Sequence, residues 1–289
     1  MQDKIYSADI FQKSLIIASH PDDEILWFSS ILDKVNNIAL CFLGKKDDPT
    51  RKIKIQRSLS EYPLKNVICF GVGQSSALFG VDWEKLTKTE YGIEISKRNP
   101  TEKLYRKNYL KLKEHLINNL AGYHNVFTHN PWGEYGHPEH IQVYKVVKDL
   151  QTELKFNLWF SNYCSNLSYG LMLDFFDRCI EPEYVSFKTN NDLINEIKQL
   201  YMKNYVWTWY DDWEWFKEET FIKDVSINTD NGKSKKVPQI VPLNFMSMKA
   251  ADLSMNKDNV VTMFIKKAAR KTGLETVFRR FMKKGINIL

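Results

Sequence analysis

The sequence predicts an α/β fold: a Rossmann-like, mostly parallel sheet flanked by helices, with a helical and aromatic C-terminal extension. Three observations carry that reading. Short apolar runs alternate with helix-compatible segments in the strand–helix–strand rhythm of a doubly wound sheet. The runs lack polar alternation, as strands buried on both faces do. Two histidine-bearing loops follow directly on two of the runs, at the carboxyl ends of strands where such sheets collect ligands.

Taken in order, residues 13–19 form the first predicted strand, followed at once by His20-Pro-Asp-Asp-Glu24. A helix is expected over 25–34, with acidic residues before it to match the helix dipole. A strand over 38–43 stops at Gly44. A helix over 51–62 is halted by Pro63, and a strand over 67–70 ends at Gly71. Residues 73–100 read as an irregular excursion. A long helix over 102–120 leads to a strand over 125–128 and the loop His129-Asn-Pro-Trp-Gly-Glu-Tyr-Gly-His-Pro-Glu-His140. A helix over 141–150 and a strand over 157–161 follow. The expected division is a Rossmann-like domain over 1–225 and an extension over 226–289.

The chain has 289 residues, 43% of them hydrophobic, enough for one sizeable core. No apolar stretch reaches the length of a membrane-spanning helix, and no basic-then-apolar leader opens the chain. The four cysteines, Cys41, Cys69, Cys164 and Cys179, are dispersed and form no C-x-x-C pair. Free thiols and a cytoplasmic setting follow as expectations.

The net charge of +6 is concentrated in the tail. Residues 257–289 hold nine Lys or Arg against two acidic residues, which leaves the remainder near neutral. The basicity therefore implies no nucleic-acid partner. From residue 260, apolar residues recur at helical spacing, among them Val261, Phe264, Ala268, Leu274, Val277, Phe278 and Phe281. This basic amphipathic helix over 260–289 either docks on the body or makes peripheral contact with the anionic inner face of a membrane.

The chemistry concentrates in the histidine loops. Catalytic zinc takes three protein ligands, histidines and carboxylates among them, and keeps one position open. His20 and Asp23 are three apart, as are His137 and His140. If Asp23 binds metal, its neighbour Asp22 is free to act as general base. One of the two late histidines would complete the shell, and the other would protonate a leaving amine or stabilise an oxyanion. Alone, Asp22 and Asp23 would equally suit the N-terminus of the following helix. His115 reads as solvated and His124 as structural, while His129 suits an orienting or substrate-touching role.

His20-Pro-Asp-Asp-Glu24 after a strand, paired with Gly136-His-Pro-Glu-His140, resembles the PIG-L/LmbE-like family of zinc-dependent N-acetylglucosaminyl deacetylases, over about residues 13–145. The resemblance implies a Rossmann-like sheet and removal of an N-acetyl group from an N-acetylhexosamine conjugate, possibly lipid-linked, in glycan biosynthesis. It implies His20, Asp23 and His140 as zinc ligands, Asp22 as base and His137 at the oxyanion or leaving group. Iron or manganese would also suit a His/His/Asp shell. Weaker echoes add Arg57 and Asp82 as sugar contacts; His129 joins the candidate substrate contacts from its position alone. Lys198, Tyr205 and Glu219 echo a later block of the family. The alternatives are amide hydrolysis on a non-sugar substrate, or a metal- or sugar-binding module without turnover.

Residues 205–216 read Tyr-Val-Trp-Thr-Trp-Tyr-Asp-Asp-Trp-Glu-Trp-Phe. Such rings can line a glycan cleft, but most are expected to close the core of the C-terminal part.

Overall fold

The structure is a computed structural model that describes residues 8–45, 48–81, 86–178, 182–224 and 240–248. Compact units span Met1–Ser247 and Met248–Leu289, and every element below belongs to the first. The amphipathic segment 260–289 and Cys179 lie outside the described residues.

A 3-10 turn at Ala8–Phe11 precedes β1 (Ser14–Ala18), α1 (Asp23–Trp27), β2 (Asn37–Lys45), α2 (Pro49–Ser60) and β3 (Val67–Gln74). The excursion that follows contains a 3-10 turn and a small antiparallel pair, β4 (Thr87–Lys88) and β5 (Ile93–Glu94). Next come α3 (Glu102–Asn119), β6 (Asn125–Thr128), a kinked turn α4 (Gly133–Gly136), α5 (Pro138–Leu154) and β7 (Asn157–Ser161). The remainder comprises β8 (Tyr163–Ser165), α6 (Tyr169–Phe176), β9 (Tyr184–Lys188), α7 (Asn191–Lys203), β10 (Glu218–Lys223) and β11 (Asn244–Met246).

Seven strands form one sheet in the order β3-β2-β1-β6-β7-β10-β9. The first five run parallel, whereas β10 lies antiparallel between β7 and β9. The chain winds from β1 outward to β3, then returns to place β6 on the other flank of β1. The strand order therefore reverses between β1 and β6, and a crevice opens there beyond their carboxyl ends. Every residue of β1 and β6 is buried, as unalternated apolar strands require. One face carries α3 and α5, whose Leu112, Leu116, Val143 and Val147 join Ile17 and Val126 in the core.

Two sequence expectations are corrected. The helix expected over 25–34 ends at Trp27, because the Ser30 N–H leaves the helical ladder to bond the Glu219 carboxylate at 2.6 Å. The rings of 205–216 are half-buried or exposed, not core, and Tyr205 is 76% exposed. Trp209 and Trp213 pack on Trp27, just after the first histidine loop, and Trp215 bonds the Ile25 carbonyl. Among the described residues, Cys41, Cys69 and Cys164 are free thiols, and no helix is long and apolar enough to cross a membrane.

Candidate metal centre

Both histidine loops converge at the β1–β6 crevice. The first is tight. Asp22 caps α1 with φ of 111°, a backbone state that costs an ordinary side chain energy and is found where geometry matters. The turn folds Asp23 back onto His20: its Oδ2 accepts the His20 backbone N–H at 2.7 Å and faces His20 Nδ1 at 2.9 Å. Trp27 Nε1 donates to the other oxygen at 2.9 Å.

The second loop turns on Gly133, whose φ is +68°; a Cβ there would stand 2.9 Å from Ile141 Cγ1. Glu134 follows at φ 53°, ψ −69°. His137 then caps α5, its Nδ1 accepting the Glu139 N–H at 3.1 Å, with Pro138 in the first turn where its missing N–H costs nothing.

The four imidazoles fall into two classes by their hydrogen bonds. His129 Nε2 accepts the Ser19 N–H at 2.9 Å, so its proton sits on Nδ1, 3.1 Å from Glu134. His137 uses Nδ1 as an acceptor, which leaves Nε2–H as a donor. Burial lowers both from the usual histidine range, and the neighbouring His140 adds to the effect. His20 and His140 differ, because each faces carboxylates on both nitrogens. His20 lies between Asp23 and Glu139, both at 2.9 Å. His140 lies between Glu134 at 2.7 Å and Asp23 at 3.2 Å. Burial opposes their charge, yet these carboxylates outweigh it, raising His20 to about 10 and His140 to about 9. Asp23 is itself held well below the carboxylate range: burial opposes, but His140 and His20 dominate.

These side chains could hold a divalent ion. Ligand atoms of His20, His137 and His140 lie within 4.8 Å of one another, as do those of Asp23, His129 and His140. His140 Nε2 is buried and makes no hydrogen bond, although Asp23 Oδ2 stands 3.2 Å away. That orphaned nitrogen, beside Asp23 Oδ2, is what a metal shell requires. A bound cation would displace the protons the carboxylates now favour. Each of the two rings has a second carboxylate behind it, Glu139 for His20 and Glu134 for His140, as orienting partners of metal histidines do. Ser75 anchors Glu139 through its N–H at 2.5 Å and its hydroxyl at 2.7 Å.

Asp22 is buried, and its Oδ2 accepts both the N–H (3.1 Å) and the hydroxyl (2.5 Å) of Thr208. Burial first, then repulsion from Asp23, raises it to about 7, against the Thr208 bond. Glu24 is fully buried and accepts from Tyr62 at 3.0 Å and Tyr201 at 2.6 Å. The aromatic segment thus closes on this loop: Trp215 Nε1 donates to Ile25 O, and Trp209 packs against Trp27 and Tyr135. Lys198 braces it from α7, donating to Asp211 O between the rings of Trp207 and Trp215.

The structure therefore brings His20, Asp22, Asp23, His137 and His140 together. His129 joins them but is wholly buried, with both nitrogens engaged by the protein. Arg57 is exposed on α2, paired with Glu61 at 3.0 Å. Asp82 lies outside the described residues. Sequence reasoning missed Glu134, Glu139, Ser19, Ser75 and Thr208. For the two glutamates a signal existed: acidic residues inside a histidine-rich loop rich in glycine.

Fold and site define a class: a Rossmann-like α/β chain with a buried His/Asp cluster, a candidate metal site, at the reversal point of its sheet. No family model and no curated protein matches the chain. Among solved structures it is similar to a deacetylase bound to teicoplanin, from the teicoplanin biosynthesis pathway. Identity is 11% over 73% of this chain and 98% of that one, with a TM-score of 0.43. It is also similar to the zinc-inhibited form of teicoplanin deacetylase Orf2, at 11% identity over 66% and 83% of the two chains and a TM-score of 0.42. A triple mutant of a deacetylase of that pathway gives 12% identity over 75% and 99%, with a TM-score of 0.43.

Proposed function

We propose that this protein is a metal-dependent N-deacetylase that hydrolyses the acetamide of an N-acetylhexosamine-bearing substrate, giving acetate and a free amine. One observation supports the reading. Asp23 Oδ2 stands 2.9 Å from His20 Nδ1 and 3.2 Å from His140 Nε2, with a second buried carboxylate, Asp22, next in the chain and the His137 ring stacked on His140. His129 and His137 are poor ligands because the protein has already used one nitrogen of each as an acceptor. Zinc is the expected metal, and iron or manganese suits the same donors. The pairing of the His20–Glu24 and Gly136–His140 motifs supports an amino-sugar substrate.

A divalent ion in this shell supplies Lewis acidity and lowers the pKa of a coordinated water toward about 7. Asp22 takes a proton from the attacking water as its oxygen bonds to the acetyl carbon. Thr208 holds Asp22 Oδ2 and leaves Oδ1 for that task. The His137 Nε2–H donates to the oxyanion that develops on the carbonyl oxygen. As the C–N bond breaks, the proton on Asp22 passes to the departing amine.

The test combines zinc stoichiometry with acetate release from N-acetylated sugars and glycolipids. Asp22→Asn should keep its metal and lose about 10² to 10⁴ in turnover. Near-normal turnover by the metal-loaded variant removes Asp22 as base, and wild-type protein that takes up no metal removes the reading altogether.

A further inference from the structure

We propose that Glu134 is a positioning residue of the metal centre: one of its carboxylate oxygens fixes the tautomer of His140 and of the stacked His129, which leaves Nε2 of His140 to ligate while the Ser19 N–H takes Nε2 of His129. This rests on the metal reading above and concerns how the ligand set is chosen.

The two rings are near twins. They stack with centroids 3.9 Å apart and 22° between planes, and both turn Nε2 toward Asp23 Oδ2, at 3.2 Å for His140 and 3.8 Å for His129. Either could serve the metal through Nε2 once Nδ1 carries the proton. Glu134 Oε2 fixes that tautomer in both rings by accepting from Nδ1, at 2.7 Å from His140 and 3.1 Å from His129. With Nδ1 protonated, each ring is left with one lone pair, on Nε2. For His129 the Ser19 N–H occupies that lone pair, whereas for His140 nothing in the protein does.

The carboxylate is itself over-determined. Its Oε1 accepts from Ser161 Oγ at 2.6 Å and from the Asn130 N–H at 3.2 Å. Asn130 Oδ1 returns a bond to the Glu134 N–H at 2.8 Å, and Ser168 Oγ bonds the Glu134 carbonyl at 2.5 Å. These bonds hold a glutamate at φ 53°, ψ −69°, a backbone state glycine would take more easily. A wholly buried acid thus stands on a strained backbone, and its contacts include the two stacked rings.

The full-length Glu134→Gln variant tests this by zinc competition against a chromophoric chelator and by the visible spectrum of the cobalt-loaded protein. Glutamine cannot replace the acid. If its oxygen turns to the two rings, its NH₂ meets the Asn130 N–H; if the amide flips, the rings lose their acceptor. Zinc binding should weaken about 10- to 100-fold, with a changed cobalt spectrum. Ser161→Ala, which leaves Oε2 untouched, should stay closer to wild type than to Glu134→Gln. Should Glu134→Gln not fold, Glu134→Gly accepts the positive φ and asks the same question. A folded Glu134→Gln or Glu134→Gly variant with wild-type zinc affinity and cobalt spectrum overturns the proposal, as does an equal loss in Ser161→Ala. Wild-type chain that binds neither ion in the same titration fails the underlying metal reading instead.

Discussion

The two loops that meet at the crevice are built on opposite plans. The loop after β6 is organised largely by its own residues, with Ser161 and Ser168 adding ties to Glu134. Glu134 joins His129, Asn130 and His140 within it, and His137 caps the helix that the loop feeds. The loop after β1 is held from far along the chain. Glu24 is bonded by Tyr62 and Tyr201, Asp22 by Thr208, and the Ile25 carbonyl by Trp215. A local plan should be sensitive to local backbone geometry. A remote plan should be sensitive to substitutions distant in sequence that touch no reacting atom.

The largest stability effect is expected inside the self-organised loop. Gly133→Ala imposes a left-handed backbone on a side-chain residue, worth about 1–2 kcal/mol. It also drives a Cβ to 2.9 Å from Ile141 Cγ1, and overpacking of that kind costs about 1–3 kcal/mol more. Urea denaturation should therefore show a loss of about 2–5 kcal/mol. A loss below about 1 kcal/mol would mean that the turn adapts freely, and the contrast between the loops would collapse.

How far each plan was legible in the sequence follows from the same contrast. The unalternated apolar runs at 125–128 and 157–161 coincide with β6 and β7, because burial on both faces leaves little freedom of interpretation. His20, Asp23, His137 and His140 were legible because a strand delivers each loop to the crevice directly. Thr208 was not: its role depends on α7 and β10 folding a distant segment back over Asp22, and no local periodicity records that. The antiparallel insertion of β10 between β7 and β9 was hidden for the same reason. Glu134 stood in view within the motif loop, but only the tautomers of two stacked rings reveal what it does. The early end of α1 depends on Glu219, 189 residues away from Ser30.

The remote plan is tested by Tyr201→Phe. Tyr201 is wholly buried, lies 177 residues from Glu24 and donates to its Oε1 at 2.6 Å. The acceptor keeps Tyr62 and the Asp22 N–H, so it is weakened, not stranded. A loss of about 1–3 kcal/mol is expected in the same urea titration, the range for removing one partner of a buried polar group. No measurable loss would show that the first loop stands without its remote props and is as self-sufficient as the second.

Arg57 supplies the lower bound. It sits on α2, and its side chain is 63% exposed beside Glu61. Glu61 also takes Lys203 of α7 at 3.0 Å, so the tie between the two helices survives without Arg57. An exposed pair of this kind contributes little, since solvent screens the charges and two long side chains must be ordered. Arg57→Ala should shift stability by less than about 0.5 kcal/mol, and still less at high salt. A larger loss would place α2 among the remote supports of the first loop. If stability is unchanged but KM for an N-acetylated sugar rises, the meaning is different: Arg57 then serves substrate and not the scaffold, because nothing in its pairing with Glu61 prevents the guanidinium from turning to a ligand.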